Sequence, residues 1–323
     1  MNLSAGKLKR MQALANDAGV IAAVAMDQRG SLSRALAAAK GVDKGAITPE
    51  MLAEFKTAVS KILTPYASAI LLDPEFGLDA SKARSANAGL LLAYEKTGYI
   101  NTRPGRLPDL IDTVSVKRLA VDFQADAVKV LLYYTPFEDA RINDIKHAFV
   151  ERVGAECDAY QIPFFLEFVG YDPKGGDEKG LDYARVKPEV VTRSMEEFSK
   201  PQYRVDVLKV EVPINQKFVG QAYTHAEALE HFRRAARAAK KPFIYLSAGV
   251  SIEQFVESLR MAGESGADFS GVLCGRATWQ DGIPVYAKQG VAAFERWLRD
   301  EGVRNITRVN EALKPARPWF QKA

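Results

Sequence analysis

Eight short apolar runs, each separated from the next by helix-patterned sequence, constrain this chain more than any other feature. They are Gly19 to Asp27, Ala67 to Asp73, Gly89 to Tyr94, Ala127 to Tyr134, Pro163 to Val169, Val205 to Val212, Pro242 to Ser247 and Phe269 to Cys274. Near-continuous apolar runs of this length read as strands buried on both faces, as in parallel sheets. Eight of them alternating with helices point to an α/β fold, a (β/α)8 TIM barrel. The rival is an open doubly wound sheet, which usually carries a glycine fingerprint after its first strand. Here Met26-Asp27-Gln28-Arg29-Gly30-Ser31 follows instead, with no G-x-G-x-x-G. The 323 residues contain no Gly/Ser/Pro linker, so one barrel domain over residues 1–323 is expected. An N-terminal helix and a helical C-terminal tail flank it.

The intervening stretches carry helix signals. Thr48 precedes Pro49 at a first helical position, and Leu52, Phe55, Val59 and Ile62 form a buried stripe behind them. Within Glu138–Tyr160, Ile142, Ile145, Phe149, Val153 and Cys157 recur every three or four residues and read as the packed side. Thr224 with Glu227, and Ser251 with Gln254, have capping-box spacing. Leu3 to Ala15 reads as an amphipathic helix with Leu8, Met11 and Leu14 on one side.

Charge and cysteine content exclude some functions. A net charge of +4 with interspersed signs implies neither nucleic-acid nor membrane binding. No apolar run approaches the ~18–20 residues of a membrane span, and no secretory signal is visible, so a cytoplasmic location is expected. Two cysteines and three histidines suggest neither a disulfide framework nor a zinc cluster. His147, His225 and His231 fall on helices and read as surface or capping residues.

The sixth run, Val205-Asp206-Val207-Leu208-Lys209-Val210-Glu211-Val212-Pro213, holds a lysine in its middle. An ammonium in an apolar interior must be paired, or lose its proton. Strand alternation sets Lys209 and Glu211 on the face of Val207. A desolvated lysine can become the neutral amine that attacks a carbonyl. A structural Lys–Glu pair at a strand end would satisfy burial equally well.

Catalytic groups of such barrels sit at the C-terminal ends of the strands. Asp27 ends the first run, with Gln28 and Arg29 just beyond; Asp73-Pro74-Glu75 ends the second. Lys129 lies in the fourth, Glu167 in the fifth, and Lys209 with Glu211 in the sixth. Asp27, Lys129, Glu167, Lys209 and Glu211 would converge on one cavity, where buried charges must pair. Moving a lysine from ~10.4 to ~7 takes about 4–5 kcal/mol, which burial beside a second lysine can supply. Ser247-Ala248-Gly249 leads into a capped helix and Gly275-Arg276 follows the eighth run. Loops after the last two strands often bind phosphate through backbone N–H groups, and arginine adds a fork. An ordinary strand–helix turn would also use glycine there.

These residues carry a family resemblance. Ala25-Met26-Asp27-Gln28-Arg29-Gly30, Ser68 to Glu75, Val128-Lys129-Val130-Leu131, Phe165-Leu166-Glu167, Asp206 to Pro213, Leu246 to Val250 and Leu273 to Trp279 resemble the class I tagatose-1,6-bisphosphate aldolase family. The resemblance runs from the N-terminal helix past Trp279. It implies a lysine Schiff base on Lys209, with Glu167 moving protons during imine formation and carbon–carbon cleavage. It implies that Asp27 and Lys129 meet substrate hydroxyls and that Gln28 and Arg29 lie at one phosphate. Ser247, Gly249, Gly275 and Arg276 would hold the other. No metal or other cofactor is implied, and the partner is a phosphorylated ketose. Barrels of this type often associate, so a homo-oligomer is expected. Fructose 1,6-bisphosphate, differing at C4, is a further expected substrate. The alternatives are a sulfofructose-1-phosphate aldolase of the same superfamily and a non-catalytic sugar-phosphate sensor; a sensor has no need to bury a lysine.

Overall fold

In the computed structural model, which describes residues 3–322, eight parallel strands close into a barrel in sequence order. They are β1 (Ile21–Ala25), β2 (Ala69–Leu72), β3 (Gly89–Ala93), β4 (Ala127–Tyr133), β5 (Phe164–Val169), β6 (Val207–Glu211), β7 (Phe243–Leu246) and β8 (Gly271–Cys274). Each falls inside its apolar run. The helices are α1 (Ala5–Ala13), α2 (Gly30–Lys40), α3 (Pro49–Leu63), α4 (Leu78–Ala83), α5 (Ala140–Ala159), α6 (Leu181–Phe198), α7 (His225–Ala238), α8 (Ile252–Ser265), α9 (Arg276–Trp279), α10 (Ile283–Trp297) and α11 (Val303–Ala312). Closure pairs Ile21 with Gly271 and Val24 with Cys274. Gly271 is required at that seam: its φ is +136°, and a Cβ there would stand 2.0 Å from the Ile21 carbonyl oxygen.

The alternation of each strand divides the apolar side chains into two sets. The outward set packs under the helices. The inward set, with Ile21, Ala23, Ala69, Leu71, Leu91, Ala127, Phe165, Val207, Ile244 and Leu273, fills the lower barrel. Met11 of α1 and Leu14 at its C-terminal cap, together with Trp319 from the tail, close that lower end. The barrel floor is therefore sealed, and any chemistry is confined to the other mouth. Among the described residues no helix is long and apolar enough to cross a membrane.

The N-cap of Thr48 on α3 and the capping boxes of Thr224 and Ser251 form as the spacing indicates. Two helix faces differ from the sequence reading. Leu8 is exposed, and Lys7 is buried in its place, because Lys7 Nζ reaches Asp206 at 2.8 Å and Asp158 at 2.6 Å. On α5 the buried stripe runs through Asn143, Lys146, Val150, Val153 and Cys157. Ile142 lies instead against Gly105 of the loop after β3, and Phe149 is only partly covered. Polar partners above the helix, the Thr135 carbonyl for Asn143 and the Tyr171 hydroxyl for Lys146, set that rotation.

The β3–β4 connection has no covering α-helix of ordinary length. It is a long loop stitched by antiparallel bridges between Glu95 and Leu110 and between Ile100 and Leu107. That loop lies at the open mouth.

Candidate active site

Strand alternation carries the inward positions upward from apolar to charged. Ile21, Ala23 and Ala25 lead to Asp27; Leu91 and Ala93 lead to Glu95; Ala127 leads to Lys129; Phe165 leads to Glu167; Val207 leads to Lys209. Glu167 and Lys209 are register partners on neighbouring strands. The five charged groups meet just above the apolar fill.

Lys129 Nζ stands 2.6 Å from Asp27 Oδ2, 2.8 Å from Glu95 Oε1 and 3.0 Å from Glu167 Oε2. Lys209 Nζ stands 2.9 Å from the same Glu167 Oε2. Burial by itself would favour a neutral Lys129, but the three carboxylates outweigh it and hold the ammonium well above the ordinary lysine range. Burial likewise pushes Glu167 and Asp27 up; Lys129 and Lys209 overcome it and hold both below the ordinary carboxylate range. The two lysines are thus not equivalent. Lys129 is a charge fixed by three acids, whereas Lys209 has one carboxylate, Glu167, within ion-pair distance among the described residues.

Glu95 was not among the sequence candidates. Its signal was available, because it lies in phase with Leu91 and Ala93 one step past the third run. It ties Lys129 to Arg29, whose Nη2 donates to the Glu95 carbonyl at 2.8 Å. Arg29 Nη1 donates to Glu75 Oε2 at 3.0 Å, and the side chain is buried. Lys56 was also missed. It projects from α3, beside the buried stripe, and donates to the Met26 and Gln28 carbonyls at 2.8 Å each and to Asp73 Oδ2 at 2.5 Å. Asp73 Oδ1 accepts from the Glu75 and Phe76 amides, so this carboxylate builds the loop rather than the charged cluster. Glu211 does not join the cluster either. It pairs with Lys187 of α6 at 3.1 Å and accepts from the Gly170 amide at 2.8 Å.

The loops after β7 and β8 come together. Gly249 has φ +76°, and a Cβ there would lie 2.6 Å from Arg276 Cζ, so the guanidinium rests directly on the glycine backbone. Ser247 is buried and Arg276 exposed. The Gln28 amide lies beside Gly275, which joins the loop after β1 to this pair of loops; Gln28 Oε1 is buried with no partner. Cys274, beneath them, is a packed thiol that burial pushes up to about 12, with Ser247 and Lys209 acting in the opposite direction. Cys157 is likewise buried, in α5. His147 is half-buried, its Nε2 3.1 Å from the Tyr134 hydroxyl; His225 faces Glu264 at 3.0 Å, and His231 packs edge-on to Tyr223. Among the described residues no three His, Cys, Asp or Glu side chains are grouped to hold a metal ion.

A closed eight-stranded barrel with a buried lysine–carboxylate cluster at its C-terminal mouth has the build of a barrel enzyme. The DeoC/LacD family aldolase model matches residues 21–281. A curated tagatose 1,6-diphosphate aldolase of Listeria innocua is 51% identical over 329 aligned positions, covering 100% of this chain and 96% of its own length. Tagatose 1,6-diphosphate aldolase 2 of Enterococcus faecalis is also 51% identical, over 100% of this chain and 98% of its own. The chain belongs to the DeoC/LacD family of aldolases. Among solved structures, fructose-bisphosphate aldolase of Plasmodium falciparum, in complex with TRAP and a small-molecule inhibitor, superposes with a TM-score of 0.68. It covers 96% of both chains at 15% identity, a likeness of fold.

Proposed function

We propose that this aldolase cleaves tagatose 1,6-bisphosphate to dihydroxyacetone phosphate and glyceraldehyde 3-phosphate through an imine on Lys209. The observation that carries the reading is the 2.9 Å contact of Lys209 with Glu167 inside the barrel mouth. The 51% identity to relatives named for that sugar supports the choice of substrate.

Lys209, once its proton has passed to Glu167, attacks the C2 carbonyl carbon and forms the carbinolamine. Glu167 returns a proton to the C2 hydroxyl, which leaves as water while the nitrogen lone pair completes a protonated imine. Glu167, again a carboxylate, takes the proton of the C4 hydroxyl. The C3–C4 bond breaks; its electron pair enters the C2–C3 bond and the imine pair returns to nitrogen. The C4 aldehyde departs as glyceraldehyde 3-phosphate. Protonation of the enamine at C3 and addition of water release dihydroxyacetone phosphate and restore Lys209. A protonated imine accepts that electron pair far better than an uncharged ketone does.

Lys129 cannot replace Lys209, because three carboxylates keep it an ammonium. With Asp27 it supplies fixed charges toward substrate hydroxyls. Ser247, Gly249, Gly275 and Arg276 suit the C1 phosphate, and the Gln28 amide, set beside Gly275, is reassigned from the other phosphate to this one. Arg29, tied to Glu75 and Glu95, steadies the loop after β1. Anchoring the phosphate orients the C3–C4 bond over the imine. Fructose 1,6-bisphosphate, which differs only at C4, is a second proposed substrate. A cytoplasmic location and self-association go with this reading.

The test is a side-by-side comparison of kcat/KM on tagatose 1,6-bisphosphate, fructose 1,6-bisphosphate and sulfofructose 1-phosphate. Cleavage of the first, equal to or better than the others, is expected. Preference for the sulfonated sugar, or no cleavage of any, overturns the assignment.

A further inference from the structure

The loop after β3 carries a cation that no step above uses. The Arg106 guanidinium is boxed by three tyrosine rings, 5.6 Å from the centroid of Tyr99, 5.5 Å from Tyr133 and 4.8 Å from Tyr171. Its Nη2 donates to Glu178 Oε1, in the loop after β5, at 2.7 Å. The box is held from behind. Lys146, buried in α5, donates to the Tyr171 hydroxyl at 2.8 Å, and that hydroxyl donates to Glu138 at 2.5 Å. Burial, with Arg106 adding to it and Glu138 opposing, pushes the Lys146 ammonium down to about 8.

Position in the barrel gives Arg106 its use. Tyr133 is in phase with Lys129 on β4, and Tyr171 is in phase with Glu167 beyond the end of β5. The box therefore stands on the rim above β3 to β5. In the closed order of strands that rim is opposite the loops after β7 and β8. Tyr133 also feels the cluster: burial and the Glu167 charge raise its hydroxyl, and Arg106 works the other way. A six-carbon sugar anchored by its C1 phosphate at Gly249 and Arg276, with C2 at Lys209, extends its far end toward this opposite rim.

We propose that Arg106 binds the anionic group at that far end, exchanging the Glu178 carboxylate for it. The proposal rests on the ketose bisphosphate reading and names the residue that reads its second phosphate. A guanidinium presents a planar fork that matches phosphate oxygens two at a time. The tyrosine faces hold it flat by cation–π contact while leaving its edge available. Arg106 remains 26% exposed at the side chain, with one carboxylate to displace, whereas Arg29 is 4% exposed and meets two.

The test compares Arg106→Ala, Arg106→Lys and wild type on tagatose 1,6-bisphosphate and on tagatose 1-phosphate, which lacks the far anion. Loss of a charge-assisted contact predicts that Arg106→Ala raises KM for the bisphosphate about 10- to 100-fold, and changes the ratio of kcat/KM on the two sugars by a similar factor. Arg106→Lys recovers part of the ratio. Glu178→Gln, which removes the competing carboxylate, lowers KM for the bisphosphate alone. Equal losses on both sugars, or an unchanged ratio in Arg106→Ala, overturn the proposal while leaving the cleavage reading intact. A wild-type protein that cleaves neither sugar overturns both.

Discussion

One carboxylate oxygen, Oε2 of Glu167, bridges Lys209 at 2.9 Å and Lys129 at 3.0 Å. A single acid thus touches both the lysine proposed to form the imine and the lysine locked as a cation by three carboxylates. Glu167 is the one carboxylate within ion-pair distance of Lys209 among the described residues, so the proposed mechanism routes the protons of Lys209 through it. Glu167→Gln keeps the shape and removes the proposed proton carrier. It is expected to lower kcat by about 10²–10⁴-fold in steady-state assays with KM little changed. A loss below tenfold would assign the proton steps elsewhere.

Lys129 neutralises three buried acids, so its removal is expected to act on stability first. Lys129→Met leaves carboxylates uncompensated at about 3–5 kcal/mol, read from urea denaturation at neutral pH. The sign with pH follows from the shifts. Asp27 and Glu167 are held below their ordinary values of 3.8 and 4.5 in the folded protein. Their contribution is full above those values and is lost as pH falls through the folded ones. The gap between wild type and Lys129→Met should therefore be widest near neutrality and narrow as the pH drops toward about 4 and below. A gap independent of pH would refute the coupling.

Gly249 and Arg276 are expected to behave as one unit. Arg276→Ala removes the exposed guanidinium and should raise KM for a bisphosphate about 10- to 100-fold. Gly249→Ala introduces a Cβ 2.6 Å from Arg276 Cζ, at a φ of +76°. It should reproduce the same KM rise by displacing the guanidinium while Arg276 itself is kept. Unchanged kinetics in either variant would separate these loops from substrate binding.

Lys56 is expected to act as a pillar. Its ammonium draws together two carbonyls of the loop after β1 and the buried Asp73. Lys56→Met should cost about 3–5 kcal/mol, because the Asp73 carboxylate is left buried without its cation. The expected readout is a lowered urea midpoint together with weaker substrate binding, since Asp27 and Gln28 sit on the loop that Lys56 holds.

The barrel was legible because parallel strands buried on both faces leave apolar runs, and the eight runs contain the eight strands. Lys129, Glu167 and Lys209 were legible because a charge inside such a run must be explained. Glu95 and Lys56 were not singled out, for different reasons. Glu95 stands one residue past its run, where a charge looks like the start of a loop. Lys56 is adjacent to a correct buried stripe on α3, and helical periodicity alone does not reveal a long side chain reaching under a neighbouring loop. The same limit explains α5, where Lys146 and Asn143 point inward toward partners contributed by distant loops. Arg106 carried no local signal, since its tyrosine box is assembled from three separate segments.

The most direct test of the imine on Lys209 is borohydride trapping. The protein is incubated with dihydroxyacetone phosphate and sodium borohydride, digested, and read by mass spectrometry. Reduction of the imine to a secondary amine should leave the triose phosphate attached to the peptide that contains Lys209 and to no other lysine. Lys209→Ala should lose both the adduct and cleavage, and EDTA should alter neither in the wild type. An adduct on Lys129, or cleavage that survives Lys209→Ala, would contradict the mechanism.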